Sequence, residues 1–238
     1  MVQEKQGEMM DIVILAGGRG TRLKPITDKM PKVLVPVLGA PFLKLLLTSL
    51  KGVKADTIFL LTGYKSEMIS KFYQKNKTEF SNVRIIREQS PLGTGGALAY
   101  FSTERGPLLV MNGDTYVDIP FDELLAFHKK RKADVTILSY FGERASRGAI
   151  LYDRMGKVKA FGEKTSTSEG AFSTGVYILE PKALKWLVNQ LPFAFSMERD
   201  GFPLLIKGKK VYTYISSGKF FDIGTHEALA NLRGRDHV

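Results

Sequence analysis

The sequence predicts an α/β fold built on a mixed but mainly parallel sheet with helices on both faces. Three observations carry that expectation. Four short apolar runs alternate with helical patterns over the first roughly 110 residues, as strands buried on both faces and joined by crossover helices should. The first run empties into a glycine-rich loop, where ligand-binding α/β units commonly begin. From about residue 134 the spacing tightens, and strand-like runs follow one another as if added to the same sheet, some of them antiparallel.

Residues 1–9 read as a flexible extension ahead of a single domain over 10–238, with no linker and no repeat. Asp11–Leu15 (DIVIL) is the first predicted strand. Pro41–Leu50 has helical periodicity with proline near its start, where a missing N–H costs nothing. Thr57–Leu61 is the second strand, and Ser66–Gln74 a short helix that Ser66 is placed to cap. Val83–Ile86 and Pro107–Met111 are the third and fourth strands. Val135–Tyr140, Ala149–Tyr152, Val158–Phe161 and Val176–Leu179 follow, with a turn at Arg154-Met155-Gly156. Helices near Lys182–Asn189 and Met197–Ile206 and strands at Val211–Ile215 and Phe220–Asp222 complete the predicted sheet.

Composition narrows the class. The chain has 238 residues, 44% of them hydrophobic, enough for a well-buried core. No apolar run approaches the roughly 20 residues of a membrane-spanning helix, and the polar N-terminus has no signal-peptide core. There is no cysteine, hence no disulfide framework and no thiolate metal site. Together these features predict a cytoplasmic protein. The net charge of +11, from 35 Lys+Arg against 24 Asp+Glu, suggests anionic partners. The longest basic run, Lys129–Lys132, lies late in a predicted helix, which argues against a nucleic-acid-binding arm.

The first strand runs into Ala16-Gly17-Gly18-Arg19-Gly20-Thr21-Arg22. Glycines here let backbone approach a phosphate or base closely. Two familiar phosphate motifs fail. No Gly-Lys-Ser/Thr follows this strand, as a P-loop requires. The dinucleotide fingerprint places a small residue where this chain has Leu23, and no acidic residue follows the second strand to meet a ribose. The loop instead carries Arg19, Arg22, Lys24 and, after Met30-Pro31, Lys32. Singly, each would be a solvated side chain. Concentrated beside a glycine cradle, they suit a triphosphate that must be held and then released in part.

Two aspartates stand at the ends of apolar runs: Asp114 after Leu108–Met111, and Asp222 within Phe220-Phe221-Asp222-Ile223-Gly224. Each alone could cap a turn. Paired with substrate phosphates, they would suit Mg²⁺, a hard cation usually held by one or two carboxylates.

Together these segments resemble the sugar-1-phosphate nucleotidylyltransferases. Leu15–Leu23 is similar to the family signature, and Pro31-Lys32 with Leu34–Pro36 to its second element. Pro91-Leu-Gly-Thr-Gly-Gly96 resembles the base-binding loop, Asn112-Gly-Asp114 the first metal site, and Glu163-Lys164 the sugar-phosphate element. Ser173–Tyr177 and Phe221–Gly224 complete an ordered set running from about residue 10 to 230. The resemblance implies the family's Rossmann-like sheet, with a nucleotide half over about 10–133 and a sugar half over about 134–238. It implies that Leu15, Ala16, Gly17, Gly18, Gly20, Thr21, Gly93 and Thr94 bind the nucleotide. Arg22 and Lys32 would meet the α-phosphate and leaving pyrophosphate, and Asp114 and Asp222 would hold Mg²⁺. Glu163 would bind a sugar hydroxyl, Lys164 the sugar phosphate, and Thr174-Gly175 would line the sugar pocket. The implied substrates are a nucleoside triphosphate and a sugar 1-phosphate, with neither nucleic acid nor membrane as partner; a homo-oligomer is compatible with this reading.

Within the family, the loop at Pro91–Gly96 is most like that of mannose- and manno-heptose-1-phosphate guanylyltransferases, which implies GTP. Gln89 just before it leaves a uridylyl- or thymidylyltransferase open. Thr165 stands where many members have proline, and Ser173-Thr174-Gly175 where guanylyltransferases often have Asn-Ala-Gly. Competing readings are a glycosyltransferase, a non-catalytic regulatory homologue that binds nucleotide sugar, and a nucleic-acid binder. The first would want an Asp-x-Asp at Asp114, which is absent; the second would be expected to have lost Arg22, Lys32, Asp114 or Asp222; the third rests on charge alone.

Overall fold

The computed structural model describes residues 10–101, 106–143, 148–162 and 169–234. From the N-terminus, β1 (Met10–Ala16) leads through the glycine loop to α1 (Ile26–Lys29) and a small ribbon of β2 (Pro36–Val37) and β3 (Ala40–Pro41). Then come α2 (Phe42–Ser49), β4 (Ala55–Thr62), α3 (Ser66–Asn76), β5 (Val83–Arg87), α4 (Gly93–Gly96) and β6 (Leu108–Asn112). The next stretch holds β7 (Thr115–Asp118), α5 (Phe121–Arg131), β8 (Val135–Glu143), β9 (Ala149–Tyr152), β10 (Val158–Gly162) and β11 (Glu169–Leu179). The chain continues with α6 (Pro181–Val188), α7 (Phe202–Gly208), β12 (Val211–Ile215), β13 (Lys219–Asp222) and α8 (His226–Arg233).

Among the described residues, nine strands form one sheet. Strands β6, β1, β4 and β5 run parallel side by side. The long β11 lies antiparallel between β6 and β8, and β12 joins β8 in parallel. The later strands therefore do extend the first half's sheet, as expected, through the β6–β11 pairing. Period-2 alternation sends side chains to both faces. Ile12, Ile14, Leu60, Leu109 and Met111 meet α2, α3 and α5 through Leu43, Leu46, Ile69 and Leu124. Val13, Leu61, Val110, Ile137 and Tyr177 meet α6 and α7 through Leu184, Leu187, Phe202 and Leu205 on the other face.

Four expectations need correction. Phe220–Asp222 is not in the main sheet: β13 pairs antiparallel with β7, a strand that the sequence reading passed over. The strand placed at Val176–Leu179 begins at Glu169, because a register shift between Ser173 and Tyr177 lets β11 continue through a bulge. Ser66 does not cap α3; Lys65, in left-handed backbone, is the cap residue and Ser66 is buried as the first helical residue. The helix placed at Met197–Ile206 starts as a π-turn over 197–201, where the Ser196 hydroxyl accepts from the Arg199 N–H at 3.2 Å.

A third, smaller apolar cluster matters most for function. Leu23, Val35, Val37 and Phe42 pack with Ile223, Leu229 and Leu232. Helix α8 thus ties the segment after the glycine loop to the segment that carries Asp222.

Candidate active site

The carboxyl ends of the parallel strands open onto a cavity of about 990 Å³, a size typical of small-molecule sites. Gly17, Gly18, Gly20, Thr21 and Arg22 line it, as do Leu15 and Ala16 at the end of β1. The loop's shape is enforced locally. Gly20 has φ +62°, and a Cβ there would lie 2.9 Å from the Thr27 methyl. Its carbonyl accepts from the Thr27 hydroxyl at 3.0 Å and from the Leu23 N–H at 2.9 Å. The Tyr64 N–H donates to Gly17 O at 3.1 Å, and its hydroxyl to Thr27 O at 3.0 Å, so the loop is held from β4 as well.

Of the four loop cations, three line the cavity: Arg19, Arg22 and Lys32. Lys24 is exposed and pairs with Asp28 at 3.4 Å. Lys32 is the least exposed partner of its pair, with 12% of its side chain exposed, and its ammonium contacts the Asp114 carboxylate directly.

The two aspartates, 108 positions apart by their numbers, become neighbours. Thr115 faces Asp222 across the β7–β13 pair, and the Ile223 N–H donates to Asp114 O at 3.0 Å. Asp222 Oδ1 accepts from the Gly224 N–H at 2.9 Å. A Cβ placed on Gly224 would lie 2.9 Å from that oxygen and 3.6 Å from Lys32 Nζ, so one spot gathers an ammonium and two carboxylates. The stacked rings of Tyr116 and Phe221, 4.5 Å apart, brace the strand pair from behind.

At the far end lie Arg87, Glu88, Gln89, Ser90, Pro91 and Gly93. Gly93 has φ +73°, and a Cβ there would come within 2.4 Å of Phe195 O. The Gly95 and Gly96 N–H groups donate to the same carbonyl at 3.0 and 3.2 Å. Thr94 lines the cavity, but its hydroxyl is engaged: it donates to Glu198 Oε2 at 2.7 Å and accepts from the Met197 N–H at 2.9 Å. Gly93→Ala should therefore both strain the backbone and push the loop off residue 195, costing on the order of 2–4 kcal/mol. We expect the melting temperature to fall by roughly 5–10 °C and the KM for the nucleotide to rise. Unchanged melting and KM would show that the loop can slide.

Two further assignments stand differently. Thr174 and Gly175 form the β11 bulge and do not line the cavity themselves. The Thr174 hydroxyl donates to Leu138 O at 2.9 Å, while Gly175, at φ +77°, leaves room for Asn112, which does line it: a Cβ on Gly175 would lie 2.2 Å from Asn112 Nδ2. Glu163 and Lys164 lie outside the described residues.

The residue that sequence reasoning missed is Glu88. It is half-buried, and burial pushes its carboxyl above the usual glutamate range, against the opposing pull of the Leu92 N–H. Its only signal was an acid immediately ahead of a glycine-rich loop.

A Rossmann-like sheet opens at its strand ends onto one cavity lined by a cationic glycine loop and Asp114, with Asp222 next to Asp114 behind the lining, the parts a nucleotide-binding phosphotransfer site needs. The chain belongs to the Nucleotidyl transferase family, whose model matches residues 11–237. It is 34% identical over 217 residues to the D-glycero-α-D-manno-heptose 1-phosphate guanylyltransferase of Aneurinibacillus thermoaerophilus, covering 90% of this chain and 93% of that protein. It is 31% identical to the mannose-1-phosphate guanylyltransferase of Mycobacterium tuberculosis over 92% of this chain, which spans only 62% of that longer protein. The structure of HddC from Yersinia pseudotuberculosis complexed with GMP-PN superposes with a TM-score of 0.83 at 30% identity, covering 95% of this chain and 99% of that one.

Proposed function

We propose that this chain transfers GMP from GTP to a sugar 1-phosphate of the mannose or manno-heptose type, releasing pyrophosphate. The carrying observation is the lining of the cavity: Arg19, Arg22, Lys32 and Asp114 gather at the ends of β1 and β6, and after β5 the uncharged Pro91, Gly93 and Thr94 of the second glycine-rich loop follow Arg87 and Glu88. Such a site accepts a triphosphate at its charged end and a base at its loop. The base and sugar class are suggested by the names of the guanylyltransferase relatives.

The reaction is an in-line displacement at the α-phosphorus by an oxygen of the sugar phosphate. That nucleophile is already an anion, so no general base is needed, and the barrier is repulsion between two anions. Arg22 and Lys32 lower it by neutralising the triphosphate, and Lys32 follows the charge onto the pyrophosphate. Among the described residues no group of three or more His, Asp or Glu is placed to cage a metal. Mg²⁺ does not need one, because it is commonly held by one or two carboxylates and the substrate phosphates. The donor set fits: Asp114 and Asp222 are adjacent, and Asp114 already draws an ammonium to itself. These two would hold the ion, which supplies charge neutralisation to the phosphates when bound. Glu163 and Lys164 are assigned to the sugar phosphate through their place in the family's order of elements. No helix among the described residues is long and apolar enough to cross a membrane, and we place the enzyme in the cytoplasm, where its nucleotide substrates are made.

Incubation with GTP, UTP, dTTP and ATP against mannose, manno-heptose and glucose 1-phosphates, following pyrophosphate release, tests the reading. GTP with a manno-configured acceptor should give the highest kcat/KM. A higher value with UTP or dTTP would refute the guanine assignment and leave nucleotidyl transfer intact.

A further inference from the structure

We propose that the end of the molecule away from the cavity docks on an anionic phospholipid surface, through a lysine-rich face around the starts of β8 and β12. The resemblance to the family implies no membrane partner; the placement of charge in this chain points to a peripheral one.

Four stretches of sequence hold almost all of the net charge: residues 129–134, 153–159, 180–186 and 207–212. Together they carry 12 of the 35 Lys+Arg and 3 of the 24 Asp+Glu, which leaves 23 against 21 in the rest of the chain. Folding gathers all four. The Asp134 N–H donates to Lys210 O at 2.9 Å, and the Lys210 N–H to Asp134 Oδ2 at 2.9 Å. The Glu180 N–H donates to Asp134 O at 3.0 Å, and Lys182 pairs with Asp134 at 3.1 Å. Lys157 bridges to Tyr212, and the Thr213 N–H donates to Gly156 O at 2.8 Å. Leu179 pairs with both Leu108 and Val135, and Val135 with Val211, so the starts of β6, β8 and β12 share one end of the sheet. The cavity lies at the other end of β6, beside Asn112 and Asp114.

The three acids of the face are already engaged: Asp134 with Lys182, Asp153 with Lys159 at 3.1 Å, and Glu180 with His128 at 3.1 Å. Lys130, Lys132, Arg154, Lys185, Lys207 and Lys210 are exposed. Like charges held together in this way attract polyanions. The chemistry favours lipid over nucleic acid. Ten of the 12 cations are lysines, point charges that need no fixed geometry in the anion they meet. Aromatic rings in the face are taken up by its own cations. The Arg131 guanidinium lies 5.3 Å from the Phe127 ring and 5.7 Å from the Tyr212 ring, and the Lys209 ammonium 4.6 Å from the Trp186 ring. A ring face so occupied cannot stack on a base. Met155 is 59% exposed in the turn between β9 and β10, with Arg154 and Lys157 on either side. Cations for the headgroups, with an apolar side chain set among them, suit the boundary of an anionic bilayer. The cavity at the opposite end stays open to water.

Co-sedimentation of the whole chain with vesicles at physiological ionic strength is the test. Vesicles of phosphatidylcholine alone are compared with vesicles containing phosphatidylglycerol, and with a duplex oligonucleotide at the same salt. The wild type should bind the phosphatidylglycerol vesicles, ignore the neutral ones, and be released by raised salt. The triple variant Lys130→Gln, Lys207→Gln, Lys210→Gln should bind roughly 10- to 100-fold more weakly, since each cation near an anionic bilayer contributes about fivefold. The control Lys71→Gln, Lys75→Gln, Lys77→Gln removes equal charge from exposed positions at α3 and should lose less than about threefold. Met155→Ser should weaken vesicle binding by roughly 3- to 10-fold. Both triple variants should keep wild-type kcat/KM. Equal binding to neutral and anionic vesicles, equal losses in the two triple variants, or no loss in Met155→Ser overturns the proposal. So does tighter binding to the duplex than to phosphatidylglycerol vesicles, which would assign the face to nucleic acid.

Discussion

Asp114→Asn or Asp222→Asn should each lower kcat by about 10²-fold or more, the usual scale for removing one preorganised electrostatic element from a transition state. Asparagine keeps the shape of aspartate, so the fold should survive both changes. In Asp222→Asn the amide oxygen can still accept from the Gly224 N–H, and in both variants the β7–β13 pair is held by backbone bonds and by the Tyr116–Phe221 stack. What is lost is the negative charge that would hold the metal against the triphosphate. Steady-state turnover at saturating Mg²⁺, with circular dichroism to confirm folding, is the measurement. Near-wild-type turnover in both variants would remove the carboxylate pair from the site.

Lys32→Ala should cost a similar factor, roughly 10²- to 10³-fold, and chiefly in kcat, because charge builds on the leaving pyrophosphate as the α-phosphorus bond breaks. A second consequence follows from the Lys32–Asp114 contact. In the free enzyme the ammonium offsets the repulsion between two neighbouring carboxylates. Without it less of that repulsion is offset until a cation arrives, so Mg²⁺ alone should raise the melting temperature of Lys32→Ala more than that of the wild type. Mg²⁺ shifts of equal size in the two proteins would mean that the lysine does not shield the aspartates.

The central strands were legible because they are buried on both faces and so read as unbroken apolar runs. Ala149–Tyr152 and Val211–Ile215 were placed residue for residue, and β1, β4, β5 and β6 to within two residues at either end. The misses share a cause. Strands β7 and β13 have four residues each and find their strand partner only in one another, across about a hundred positions of chain. The first half of β11 contains glycine, serine and threonine, and its continuity depends on a bulge that partners on both sides must accommodate. The Ser66 cap failed because Lys65 in left-handed backbone, not a side-chain oxygen, begins that helix.

For the site, local chemistry lay in the sequence and mutual placement did not. The glycine loop, its cations and the two aspartates are local signals: glycine where backbone must turn sharply, and charge beside apolar runs where solvation alone is a poor explanation. Tertiary structure alone decided that Lys32 meets Asp114 across 82 positions while Lys24 turns out to Asp28. It also decided that Asp222 lies beside Asp114, that Thr94 gives its hydroxyl to Glu198 across 104 positions, and that Glu88 is drawn in against Gly17. Those outcomes depend on which distant partner reaches a group first and how much water is left around it, and neither quantity is a property of a segment read by itself.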